Sequence, residues 1–342
     1  MRNGTNRLSN FELLRLLSMF MIVYYHLLRW FVQDNPTFDW VSALWLPLHV
    51  GVVVFVLISG FFHIKASFRG LIVLLGVLFV YSIPGIVSEI KNAESSRSIL
   101  HALQFVSRSD FWFVKTYLGL YLVSPLLNGF LDHSSVRRQL YILGVFALIT
   151  LYYGGMARNI FYAEGKNLLF FMLLYLIGHM LKEYATRWKV LGSRRLIGGY
   201  LLLNVLIVLS SLFFKDRGFG DLVWKLSFPY NSPILILNAV LLFMIFGGME
   251  FKKSWINRLA ESCFAVYLIH GSTPLISFVE RPLIHKLFMF SNSRFFLFLV
   301  LLFILACGIM LSCIVIDRCF SPLWKRLNHM GEMIQKTVEF QI

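Results

Sequence analysis

The chain has 342 residues, of which 58% are hydrophobic and 14% charged, and its formal net charge is +15. A soluble domain carries about a quarter charged residues, so the composition excludes a soluble enzyme and points to a polytopic membrane protein. The basic excess is scattered over short loops, the pattern of membrane-topology signals rather than of a nucleic-acid surface.

Ten apolar segments follow one another, at 11–32, 41–63, 70–90, 110–130, 139–155, 167–184, 195–214, 231–249, 262–282 and 294–316. They predict an all-α protein with about ten transmembrane helices and no strands. The first segment is too long for a cleaved leader and no small-residue cleavage site follows it, so it is expected to remain as a membrane helix. It carries Glu12, Arg15 and His26. Polar side chains inside a span are costly and mark functional sites by default. Glu12 and Arg15 are three apart and share a helix face. Arg15 and His26 are eleven apart, almost three turns, so they share that face about 16 Å apart along the axis. A buried neutral imidazole can take a proton from a hydroxyl, and a guanidinium fork matches phosphate oxygens. The bland alternatives are a structural hydrogen bond for His26 and simple charge neutralisation for Glu12 and Arg15.

The second segment ends in VVVFVLISGFF, with Gly51, Ser59 and Gly60 as small residues that either allow close helix packing or line a site. His49 and His63 bracket it and read as interfacial. The third holds Ser82 and Pro84, where a kink is expected. The fourth, DFWFVKTYLGLYLVSPLLN, offers Trp112, Lys115, Tyr117 and Tyr121. Tyr117 and Tyr121 are four apart on one face. Lys115 is expected to snorkel outward, Trp112 to anchor at the interface, and Pro125 to end or kink the helix. The ninth reads ESCFAVYLIHGS, with Tyr267 and His270 three apart. Cys263, Cys307, Cys313 and Cys319 lack metal or disulfide spacing and read as core side chains. No metal-binding, nucleotide-loop or serine-hydrolase signature is present, so no metal is expected.

Residues 1–316 therefore read as one membrane domain, and 317–342 as a cytoplasmic amphipathic tail able to lie on the membrane surface. Lys and Arg are richer in the loops on the side of the N-terminus, above all at Lys182, Arg187, Lys189, Arg194 and Arg195, which places both termini in the cytoplasm. The longest loops, 91–109 and 215–230, then fall outside and are candidates for shaping a substrate groove.

Four blocks in order carry a family resemblance: Arg7, Glu12, Leu14, Arg15 and His26; Phe55, Ser59, Gly60 and Phe61; WF…YLGLYLVSPLL; and Tyr267 to His270. Their order and spacing resemble the membrane acyltransferase-3 family. That resemblance implies a bundle of ten helices around a central cavity in a bacterial cytoplasmic membrane. It implies transfer of an acyl group, usually acetyl, from cytoplasmic acyl-coenzyme A to a hydroxyl of a surface glycan or lipid-linked oligosaccharide. Under it His26 is the essential histidine, acting either as the base that deprotonates the acceptor hydroxyl or as a transient acyl acceptor; Glu12 joins it by orienting Arg15, and Arg15 and Arg7 hold the donor. Ser59, Trp112, Lys115, Tyr117, Tyr121, Tyr267 and His270 are candidates for the cavity and substrate. The chain departs from many members in having no acid in Val52-Val53-Val54, and no esterase-like domain accompanies the membrane domain. The competing class is a glycan transporter or flippase without chemistry, which should carry repeated halves with broken helices. A glycan polymerase is a third, and would need a larger external loop.

Overall fold

The computed structural model describes residues 8–91, 106, 111–152, 164–214, 217–218, 220–292 and 294–339. Among these, every regular element is helical. The principal helices are α1 (Ser9–Asp34), α2 (Val50–Phe62), α3 (Phe68–Lys91), α4 (Trp112–His133), α5 (Val136–Leu151), α6 (Leu168–Glu183), α7 (Ser193–Phe214), α8 (Pro233–Gly247), α9 (Ser254–Ala260), α10 (Cys263–His270), α11 (Arg281–Phe290), α12 (Phe295–Cys319) and α13 (Ser321–Glu339). Over the described residues, each apolar segment of the sequence falls mainly on helical structure, with 110 and 153–155 lying outside those residues. By length and composition α1, α3, α7 and α12 can each cross a membrane, while α2 and α8 are apolar but shorter. The environment is read from α7. Only 11% of its apolar window is buried, and Leu201, Leu202, Leu206, Leu209 and Phe213 are exposed. A helix that is apolar all round yet unburied needs a lipid surround.

The chain divides into two compact units, Met1–Ile64 with Thr116–Ala260 and Lys65–Lys115 with Glu261–Ile342. In the first, α1 is the central helix, with 67% of its apolar window buried. Phe11 at its start packs among Phe61, Phe62 and Phe243 at ring-centre distances of 5.0, 5.1 and 5.2 Å. Asn10 Nδ2 donates to the Phe246 carbonyl at 3.0 Å, and Ser9 Oγ accepts from the Lys253 N–H at 2.8 Å, tying the entry of α1 to α8 and the start of α9.

Close approach of helices explains the small residues. A Cβ on Gly51 would lie 2.6 Å from the Ser18 carbonyl of α1. A Cβ on Gly60 would fall onto the Tyr175 carbonyl of α6, and one on Gly178 of α6 onto the Leu57 carbonyl of α2. Glycines on both helices thus let α2 and α6 touch backbone to backbone, the arrangement by which apolar helices associate without a hydrophobic driving force. Polar side chains add to it. Asn204 of α7 and Asn238 of α8 exchange amide hydrogen bonds of 3.0 and 2.9 Å in the buried interior. Asn167 caps α6 by accepting from Phe170 N–H at 2.9 Å. Ser232 caps α8 by accepting from Leu235 N–H at 3.3 Å, with Pro233 in the first turn where its missing N–H is harmless.

Pro125 does not end α4, which continues to His133. A proline deprives the carbonyl four residues back of its donor. That carbonyl belongs to Tyr121, and Ser124 Oγ donates to it at 2.8 Å. The neighbouring hydroxyl replaces the lost N–H, as helices in lipid require. Ser124→Ala should therefore lower stability by about 1 kcal/mol. Thermal unfolding of the detergent-purified protein checks this, and an unchanged midpoint would mean that Tyr121 is satisfied otherwise.

Two further expectations are corrected. His49 is not interfacial but buried. Its Nδ1–H donates to the Phe228 carbonyl at 2.9 Å, and its ring lies 4.3 Å from Phe228 and 4.2 Å from Tyr230. The stretch 215–230 is not all loop, since Gly220–Ser227 is helical and delivers Phe228 and Tyr230 to that cluster. The other long loop, 91–109, lies outside the described residues apart from Lys91 and Val106. At the far end of α2, His63 Nε2 and His179 Nδ1 share a hydrogen bond of 2.8 Å.

In the second unit, α3 runs unbroken through Pro84. The C-terminal helix α13 packs along it in the opposite direction. Gly76 faces Leu327, and Gly331 faces the Arg69 backbone. Arg69 bonds Glu332 at 2.8 Å and Asn328 at 3.0 Å, while Asp317 accepts from Tyr81 at 2.8 Å and Trp324 at 3.0 Å. The ninth segment is not one continuous α-helix. It comprises α10, a short turn at Thr273–Leu275, a π-helical turn at Ile276–Glu280, and then α11.

Candidate functional site

In the first unit, the stripe on α1 is as the spacing requires. Glu12 accepts a hydrogen bond from Arg15 Nη1 at 2.8 Å. The Glu12 side chain is 6% exposed and that of Arg15 30%. The carboxylate is therefore fixed inside while the guanidinium reaches towards open space, with donor positions to spare for an anion. Because α1 is unbroken from Ser9 to Asp34, His26 lies about 16 Å further along the same face. His26 is half-buried, with its ring stacked on Trp30 at 5.6 Å and 5.3 Å from Tyr25. Tyr25 in turn packs on His49 at 4.9 Å and on Trp45 at 5.9 Å. The histidine thus sits beside a dense aromatic cluster.

Three blocks far apart in sequence meet near Arg15. Ser59 Oγ donates to the Phe55 carbonyl at 3.0 Å and lies 3.2 Å from the Tyr117 hydroxyl. The Arg15 charge acts on that same Tyr117 hydroxyl, as does Tyr121, four residues on. Gly60 holds the helices together and Ser59, its neighbour, faces inward. The small-residue block therefore packs two helices and sets Ser59 beside Tyr117. Arg7 lies outside the described residues.

The other candidates belong to the second unit. Trp112 is half-buried and Lys115 exposed. Tyr267 lies against Phe111 at 6.2 Å and Phe113 at 5.6 Å, which joins the fourth-segment block to the ninth. His270 is fully buried, and its Nδ1–H donates to Glu280 Oε1 at 2.9 Å. Sequence reasoning missed Glu280. The signal was there: it is the one carboxylate within the ninth segment. Among the described residues no cluster of three or more His, Cys, Asp or Glu is placed to hold a metal ion.

Comparison with known proteins adds the family. A family model described as an acyltransferase domain matches residues 8–318, nearly the whole chain. No curated protein and no solved structure matches. The matched span takes in all the membrane-length helices and both groups of site residues, and the chain belongs to the acyltransferase-3 family of membrane acyltransferases.

Proposed function

We propose that this protein transfers an acyl group, most simply acetyl, from cytoplasmic acyl-coenzyme A to a hydroxyl of a surface-glycan sugar or lipid-linked oligosaccharide. The observation that carries the reading is the convergence of Arg15, Ser59 and Tyr117, from three sequence blocks, a few turns below His26 on the same helix. In this reading the ten apolar segments cross a bacterial cytoplasmic membrane, with both termini inside. Acyl-coenzyme A is polyanionic and stays on the cytoplasmic side. Arg15, oriented by Glu12 and joined by Arg7, holds its phosphates through charge-assisted hydrogen bonds. Ser59 and Tyr117 line the path of the pantetheine arm, which can bridge the roughly 16 Å from Arg15 to His26. His26 takes the proton of the acceptor hydroxyl. The oxygen attacks the thioester carbonyl, a C–O bond forms as the C–S bond breaks, and the departing thiolate receives the proton from the imidazolium. The aromatic side chains beside His26 keep water from the thioester.

The direct test is transfer of labelled acetyl from acetyl-coenzyme A into envelope saccharide by membranes that carry the protein. Label is expected, and its absence with any short-chain acyl donor would overturn the reading. Arg15→Lys separates donor binding from chemistry. A point charge cannot replace a bidentate fork, so the half-saturating acetyl-coenzyme A should rise about tenfold or more with a smaller change in maximal rate. An unchanged half-saturation would remove Arg15 from the donor site.

A further inference from the structure

The far end of α1 carries a polar strip. His26, Arg29 and Gln33 are spaced three and four apart, so they line one helix face. Exposure rises along it: His26 is half-buried, while Arg29 and Gln33 are exposed. One turn before His26, Ile22 and Val23 are buried. The face is therefore open from the helix end down to His26 and closes there. Arg29 is not a loosely extended surface charge. Its guanidinium donates to the hydroxyl of Tyr25, one turn back. The Tyr25 ring is in turn held 4.9 Å from His49 and 5.9 Å from Trp45. The Glu164 charge also reaches Tyr25, but that carboxylate already accepts from Lys166 at 2.9 Å. Among the described residues no carboxylate forms an ion pair with Arg29. The fork is thus fixed in place, open to the outside, and left with most of its N–H donors.

We propose that Arg29 is an acceptor-recognition residue, binding a carboxylate or phosphate group of a saccharide acceptor while His26 meets the hydroxyl to be acylated. The assignment rests on the acyl-transfer reading above and deepens it by naming an anionic saccharide as the substrate class. A guanidinium fork matches either group with two parallel hydrogen bonds. Side chains three apart on a helix start about 5–6 Å from each other, a separation that one sugar residue and its acidic substituent can bridge. Arg29 does not belong to the donor's phosphates: it stands fourteen residues from Arg15, about 21 Å along the axis and beyond His26. In the orientation of that reading this is the outer end of α1, where a cation serves no purpose as a topology signal. An arginine kept in a membrane helix against that bias marks function by default. The carboxylate of an acidic sugar and the phosphate linking a saccharide to lipid offer the same chemistry to the fork.

The test uses detergent-permeabilised membranes carrying the full chain, labelled acetyl-coenzyme A, and a chloroform–methanol extract of lipid-linked saccharides from the host as titrated acceptor. Glucose, glucuronate and glucose 1-phosphate are added as competitors. At least one of the two anionic sugars should inhibit transfer at a concentration about tenfold below that of glucose, and excess acetyl-coenzyme A should not relieve the inhibition. Stronger inhibition by glucuronate assigns the group to an acidic sugar, and by glucose 1-phosphate to the phosphate linkage. Arg29→Gln should erase the preference over glucose and raise the half-saturating amount of extract about tenfold, with the half-saturating acetyl-coenzyme A unchanged. Arg29→Lys, which keeps the charge but not the fork, should fall between. Equal inhibition by all three sugars in the unaltered chain, or a preference retained in Arg29→Gln, would overturn the assignment. Relief by acetyl-coenzyme A would also overturn it, since the anion would then sit in the donor site. If Arg29→Gln does not accumulate, Arg29→Lys decides by the same comparison. Failure of the unaltered chain to transfer label would overturn the acyl-transfer reading itself, and this assignment with it.

Discussion

His26→Ala is expected to lose acyl transfer by roughly a hundredfold to ten-thousandfold, the usual contribution of a positioned general base, while the protein still accumulates in the membrane. The structural cost should be small. His26 is half-buried, its ring lies against Trp30 and Tyr25, and alanine is the better helix former. Donor binding should survive, because the Glu12–Arg15 pair and the Ser59–Tyr117 contact are about three turns away. The check is transfer of labelled acetyl alongside acetyl-coenzyme A protection against thermal unfolding. Protection retained with transfer lost assigns the proton step to His26. Transfer retained would make His26 structural and move the chemistry elsewhere.

The largest effect on folding is expected at the contact of α2 and α6. Gly60→Val and Gly178→Val should each cost about 3 kcal/mol or more, at the upper end for overpacking. The obstacles are the Tyr175 and Leu57 carbonyls, backbone atoms that cannot rotate away. The helices must separate, and the displacement would pass directly to Ser59, next in sequence to Gly60. Both variants should therefore show little monodisperse protein after detergent extraction, and the surviving fraction should transfer poorly. Gly144→Ala on α5 is the control. No atom lies within 4 Å of its added Cβ, and replacing a helical glycine on an open face gains about 0.5–1 kcal/mol. Equal behaviour of Gly60→Val and Gly144→Ala in size-exclusion profiles would sink the close-packing account.

Much of the first helix was legible because its information is local. Period 3.6 places Glu12 beside Arg15, and the ion pair is there at 2.8 Å. The same period sets His26 on that face. Of the two outcomes open at Pro125, the helix does not end there, since the Ser124 hydroxyl supplies the donor that proline lacks. His49 looked interfacial because a histidine bordering an apolar run usually is. The helix at Gly220–Ser227 brings Phe228 over it, and no local pattern announces an event that distant in sequence.

By itself, then, the sequence determined the all-helical membrane class, the places of the apolar helices and the polar stripe on α1. Each follows from composition and from periodicities a few residues long. Only the tertiary structure decided that Ser59 meets Tyr117 across 58 positions, that Gly60 and Gly178 close one helix contact, that the ninth segment breaks, and that Glu280 turns back onto His270. These depend on which helices touch and at what height. In lipid that is settled by backbone approach and a few buried polar contacts, because an apolar surface of nearly uniform character does not distinguish one neighbour from another.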